Sequence, residues 1–157
     1  MRRLVCLSVL LLISVPLFAQ LEPKPLASQE ELLKDKDSKL AANKKLVFDF
    51  WREVLEARHL DLADKYMRPD YMQHNPNAQT GIEGFKAYFS KLGGPLPIEA
   101  KIKREVISIV AQGDLVVLSF VSENKDSKGQ SYKTTWFDMF RIQNGKIAEH
   151  WDSALKQ

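Results

Sequence analysis

Cysteine is almost missing. The 157 residues contain one, Cys6, so the chain can close no internal disulfide and build no multi-cysteine metal site. Histidine is nearly as scarce, with only His59, His74 and His150. No two of them have ligand spacing. Glu149-His150-Trp151-Asp152 sets its carboxylates on alternating faces of an extended chain, so no metal site is expected. The seven glycines form no phosphate-cradling loop and no nucleophile elbow, and no basic-aromatic interleaving marks a nucleic-acid surface.

Long apolar runs are also few. The one candidate is Leu4 to Phe18, which follows the basic Met1-Arg2-Arg3 and precedes the small residue Ala19. Basic, apolar, then cleavable is the pattern of a secretory signal over residues 1–19. The run is shorter than the roughly 20 residues needed to span a bilayer. The expectation is a periplasmic or secreted protein, with no membrane association after cleavage. Cys6 lies before the apolar stretch ends, so it is no lipid-anchor site, and it leaves with the signal. Without Arg2 and Arg3 the 23 basic residues become 21 against 20 acidic ones, and the net charge falls from +3 to +1. The basic pI is therefore no argument for a nucleic-acid partner.

What remains, about 138 residues, suits one domain. Residues 20–37 read as a polar tether and a frayed helix start, with Pro23 and Pro25 in the tether. Ser28-Gln29-Glu30-Glu31 is a capping box opening a helical stretch to about Arg58. Its second half carries Val47, Phe50, Trp51, Val54 and Leu55 at helical spacing. His59 ends this helix, where a cation suits the dipole. A short helix over about Asp61 to Met67 follows, stopped by Pro69. Thr80-Gly81-Ile82-Glu83 is a second capping box, opening a helix that Gly93-Gly94-Pro95 closes. From about Ala100 the chain turns β-branched and aromatic, in four runs separated by turn residues. Asn144-Gly145 is a strong hairpin signal. Helices first and an antiparallel meander afterwards make an α+β fold, with helices covering one face of the sheet.

One residue breaks the strand pattern. Tyr132, Thr134, Trp136, Asp138, Phe140 and Ile142 share a face, and Asp138 is the single charge among them. A two-residue turn at Asn144-Gly145 pairs Asp138 with Trp151 and sends His150 and Asp152 to the opposite face, provided no bulge intervenes. Burial among indole and phenyl rings would equip a carboxylate for general acid/base work. The alternative is a structural aspartate held by Arg141, Arg104 or a backbone amide. In "YMQHNP", Tyr71 to Pro76, His74 is either a surface turn residue or a donor aimed at a ligand.

Two segments, "YMQHNPNAQTGIEGFKAYF" and "FDMFRIQNGKIAEHWD", resemble the hallmark stretches of SnoaL-like proteins in the nuclear transport factor two-like superfamily. The branch it is most similar to is described as aldol-condensation-catalysing. The resemblance implies a cone-shaped, curved antiparallel sheet packed on N-terminal helices, with a SnoaL-like domain over residues 38–157. It also implies a deep apolar pocket, a homodimer and cofactor-free chemistry. Asp138 matches the family's acid/base aspartate, and His74 matches a histidine that borders the pocket. The expected function is acid/base chemistry on a small apolar carbonyl compound, by aldol cyclisation or isomerisation. Asp138 and His74 would be catalytic, and Tyr71, Asn75, Trp136, Phe140 and Trp151 would bind substrate. The alternative is a non-catalytic binder using the same pocket. The SnoaL-type cyclases act in the cytoplasm on polyketides, whereas this chain carries an export pattern.

Overall fold

The computed structural model describes residues 21–156; the signal-peptide expectation for residues 1–19 lies outside them. Among the described residues no helix is long and apolar enough to cross a membrane.

The long N-terminal helix is in fact two. α1 (Gln29–Leu32) is a single turn capped by the Ser28 hydroxyl, which accepts from the Glu31 amide at 3.3 Å. The Glu31 side chain does not reach back but pairs with Lys34. Asp35 and Asp37 then intervene: Asp35 Oδ1 accepts from the Asp37 amide, and Asp37 caps α2 (Ser38–Phe50) through Lys39 and Leu40. Aspartate competes with the helical backbone in this way, which is why a charged stretch breaks a helix it was expected to continue. The segment before α1 is held too. The Leu26 amide bonds Ile107, and the Gln29 amide group bonds Ile102 on both its donor and acceptor sides.

α2 runs without a break into a wide π-type turn, Trp51–Glu56. An inserted residue of this kind re-aims the side chains that follow, and such turns recur at functional sites. Here the turn carries Trp51, Leu55 and Glu56, all of which line the central cavity. A 3₁₀ turn (Leu60–Leu62) and α3 (Ala63–Tyr66) lead into β1 (Met67–Gln73). α4 (Ile82–Phe89) begins at Gly81, whose φ of 89° suits only glycine. The second capping box does not form, because the Thr80 hydroxyl bonds the backbone of Gln73 instead.

Strands β2 (Val106–Gln112), β3 (Leu115–Lys125), β4 (Ser131–Gln143) and β5 (Lys146–Asp152) make the expected meander. β1 adds a fifth strand, parallel to β5, giving the order β1-β5-β4-β3-β2 in one curved sheet. β1 escaped the strand reading because Pro69 sits inside it. An edge strand tolerates proline, and here the β1–β5 ladder skips between Met67 and Met72. The helices cover the concave face. Val47, Phe50 and Val54 meet Leu118, Phe120 and Phe140 there, all fully or almost fully buried.

The Asn144-Gly145 turn forms as expected, with positive φ at both residues and Ile142 opposite Ile147. One residue later the ladder slips: Arg141 faces Glu149, leaving Ala148 as an extra residue in β5. From there every pairing moves by one. Phe140 lies opposite His150, Met139 opposite Trp151 and Asp138 opposite Asp152. Trp151 is therefore on the outer face rather than beside Asp138, and His150 and Asp152 are inside. An unbroken ladder would have set Glu149 against Phe140 in the core. The bulge instead lets Glu149 pair outward with Arg141, at 2.9 Å.

Candidate active site

The inner faces of β4 and β5, β1 and its following loop, the π-type turn and α4 enclose a cavity of about 340 Å³. That is within the ordinary range for a small-molecule site, roughly 300–1,000 Å³. Its apolar wall includes Phe50, Trp51, Leu55, Phe85, Phe89 and Phe140. Its polar wall includes Tyr71, Gln73, Asn75, Arg104, Asp138, His150 and Asp152.

Asp138 is buried, 4% exposed, as its place in the apolar row predicts. Neither arginine holds it. Arg141 is on the outer face with Asp114 and Glu149, and Arg104 makes no hydrogen bond to it among the described residues. Its partner is His150, whose Nε2 lies 3.0 Å from Asp138 Oδ1. This bond exists only because the bulge turns His150 inward. The other carboxylate oxygen, Oδ2, is buried with no hydrogen-bond partner.

The proton count of this pair follows from its neighbours. His150 Nδ1 lies 2.9 Å from Gln73 Oε1. That oxygen also accepts from the Asn75 amide at 3.0 Å, while Gln73 Nε2 donates to the Tyr71 hydroxyl at 3.0 Å. Flipping the Gln73 amide would point its NH₂ at the Asn75 N–H, so Oε1 is an acceptor and His150 Nδ1 must donate. With Nδ1 protonated, a neutral imidazole facing an ionised carboxylate would oppose lone pair to lone pair at 3.0 Å. One proton therefore lies between Nε2 and Oδ1, as imidazolium and carboxylate or as imidazole and carboxylic acid. Asp138 and His150 hold it jointly.

Asp152 is also committed. Its Oδ2 accepts from Asn75 Nδ2 at 2.7 Å and its Oδ1 from the Ala154 amide at 3.0 Å. Asn75 is fixed in turn, since its Oδ1 accepts from the Asn77 amide. Donor atoms of Asp138, His150 and Asp152 lie within 4.8 Å of one another. That is close enough to share a cation, a grouping that the alternation of faces had argued against. Each of the three side chains also makes one of the hydrogen bonds just described, and Asp138 Oδ2 alone among their carboxylate oxygens makes none. Tyr71 is 2% exposed, and burial, followed by the charges of Asp152 and Asp138, pushes its hydroxyl far above the ordinary phenol range. It stays protonated.

Of the expected site residues, Asp138, Tyr71, Asn75 and Phe140 meet in the cavity. Trp136 shares the face of Asp138 but packs against the core beside Phe120 without lining the cavity. His74 and Trp151 are elsewhere. Their rings stack at 4.7 Å and 2° on the outer side, where His74 Nε2 contacts Glu149 at 3.2 Å. The cause is again the bulge, which turns Trp151 outward and gives His74 a flat partner there. His150, Gln73, Asp152 and Arg104 are the site residues that sequence reasoning missed. The unlikely burial of Glu149 in an unbroken ladder was the signal available for His150.

The family model described as "SnoaL-like domain" matches residues 48–150, well over half of the chain. The chain belongs to the SnoaL-like family. Its fold is that of a candidate polyketide cyclase from Acidithiobacillus ferrooxidans (20% identity, TM-score 0.54, covering 76% of this chain and 89% of that one). A candidate SnoaL-like polyketide cyclase from Jannaschia sp. is equally similar (20% identity, TM-score 0.54, 76% and 91%). An epoxide hydrolase of M. tuberculosis, described as LEH-like, also shares it (15% identity, TM-score 0.53, 73% and 83%). Among curated proteins, none matches the sequence.

Proposed function

We propose that this SnoaL-like protein is an enzyme of acid/base chemistry on a small apolar carbonyl compound, with the Asp138–His150 pair as its proton-transferring group. The observation that carries the reading is the asymmetry of Asp138. One oxygen shares a proton with His150, and the other is buried without a partner in the wall of an aromatic cavity.

In the imidazolium–carboxylate form, Oδ2 takes a proton from the carbon beside the substrate carbonyl. The C–H electrons move into the enolate, and Oδ1 keeps its bond from His150. Tyr71 holds its proton and receives a bond from Gln73, so its hydroxyl is free to donate to the enolate oxygen. This donor role, expected of His74, falls to Tyr71 because His74 is on the outer face. The enolate then attacks a second carbonyl carbon: the C–C bond forms as that C=O π bond opens, and the new alkoxide takes the proton from Oδ2. Alternatively, the enolate recovers the proton from Oδ2 at another carbon. Both outcomes need only the proton the pair already handles. The export pattern of residues 1–19 supports placing this chemistry in the periplasm or outside the cell. The exposed ring of Phe137 on the outer face supports a homodimer formed there.

Hydrogen–deuterium exchange of 2-acetonaphthone at its methyl group, followed by NMR, tests the assignment. Asp138→Asn should slow enzyme-dependent exchange by about 10²–10⁴-fold, the usual worth of a positioned base. Unchanged exchange removes Asp138 as the base. Binding of the ketone with no exchange even in the wild type would make the protein a binder of apolar ligands.

A further inference from the structure

Arg104 is the charge in the cavity that the chemistry above leaves unused. Its guanidinium lies over the Phe120 ring at 4.8 Å, and Trp51 packs on the same phenyl at 4.3 Å. Arg52, Arg68 and Arg141 each hold a carboxylate. The Arg104 guanidinium has neither an ion pair nor a hydrogen bond among the described residues. The nearby acid, Glu56, is occupied: its oxygens accept the backbone amides of Lys103 at 2.7 Å and Arg104 at 3.0 Å. Asp138 and Asp152 are committed to His150 and Asn75. Apart from Asp138 Oδ2, which the proton chemistry uses, the charged group in the cavity wall left without a partner is therefore positive.

Its surroundings make that costly. Arg104 is half-buried, and burial disfavours its charged form, while Asp138 and Glu56 favour it at longer range. Guanidinium remains protonated at any ordinary pH. A partly desolvated cation with unfilled N–H donors gains most from an anionic oxygen pair brought in by the ligand. Trp51 adds a second unmet donor, since its ring lines the cavity and its Nε1–H is buried with no partner.

We infer that the cavity takes an anionic ligand, an aromatic or similarly apolar carbonyl compound bearing a carboxylate that seats on Arg104. The carbonyl half rests on the function proposed above; the carboxylate half does not. A planar carboxylate meets the guanidinium fork through two parallel hydrogen bonds. The ligand's ring packs between Trp51 and the phenylalanines of the opposite wall.

Isothermal titration with 2-naphthoate and with the neutral 2-acetonaphthone, two ligands with the same ring system, tests this. The wild type should bind naphthoate at least about tenfold more tightly than the ketone, a modest return for a charge-assisted pair. Arg104→Gln should lose that margin and Arg104→Lys should keep part of it. Ketone binding by Arg104→Gln serves as the check that the cavity still forms. Equal affinity for the two probes, no measurable naphthoate binding by the wild type, or undiminished naphthoate binding by Arg104→Gln would each overturn the inference. Deuterium exchange of the ketone keeps the two claims apart. Exchange without anion preference sinks only the Arg104 seat, and anion preference without exchange sinks only the proton chemistry.

Discussion

Gln73 Oε1 lies 2.9 Å from His150 Nδ1, and the same oxygen takes the Asn75 backbone proton. A neutral side chain on β1 thus decides which imidazole nitrogen on β5 faces Asp138 as the variable site. The arrangement does for this pair what a buried carboxylate does for the histidine of a hydrolase triad, but without adding a negative charge. The cluster already carries Asp138 and Asp152, so a neutral orienting group avoids a third carboxylate.

Replacing Gln73 by leucine tests that role. The Nδ1–H of His150 would lose its acceptor in a buried site, which costs about 1–3 kcal/mol. Urea unfolding should show a loss of that size. Nitrogen-15 NMR of the ring should place a proton on Nδ1 in the wild type and show it redistributed in the variant. An unchanged ring spectrum would mean that Gln73 does not orient the histidine.

The two histidines should behave oppositely. His150→Phe removes half of the proton-holding pair and should reduce ketone exchange by about 10²-fold or more. His74→Ala loses a stacking contact with Trp151 on the outer face and should leave exchange within about twofold, with a stability cost of order 1 kcal/mol. Equal loss of exchange in both variants would contradict the placement of His74.

Alkaline titration addresses Tyr71. Burial raises its folded-state pKa, while in the unfolded chain a tyrosine ionises near 10. The unfolded state therefore loses its proton first. Stability should be undiminished below about pH 10 and should fall as the pH rises beyond it. Burial and the Glu53 contact also raise Tyr66, so phenolate absorbance should show a late step on unfolding that Tyr71→Phe reduces by one tyrosine.

Gly84 offers a check on packing. A Cβ there would stand 2.7 Å from the Gln79 carbonyl oxygen and 2.8 Å from the Gln79 Cβ. Helix propensity favours alanine over glycine, but this contact is with backbone and cannot rotate away. Gly84→Ala should destabilise by about 1–3 kcal/mol despite the better propensity. Thermal or urea unfolding would measure it.

The fold was legible wherever local chemistry decides structure. The β-branched runs after Ala100, the Asn144-Gly145 turn and the lone charge at Asp138 all declare themselves in single segments. What stayed hidden depended on choices made between segments. Ala148 looks like any strand residue, and only the cost of burying Glu149 opposite Phe140 hints that it is extra. β1 was masked by Pro69, and its parallel pairing with β5 has no local signature. His150 could not be joined to Asp138 without the first of these facts, nor to Gln73 without the second.

The β1–β5 pairing has a consequence for the life of the chain before it works. Gln73 and His150 are 77 positions apart, yet one hydrogen bond ties them. A polypeptide still leaving the ribosome has not yet assembled the Gln73–His150–Asp138 cluster. The chemistry proposed for this cluster would arise only when the final strand slots in, and clipping that strand should remove the cluster while most of the helical layer stands intact.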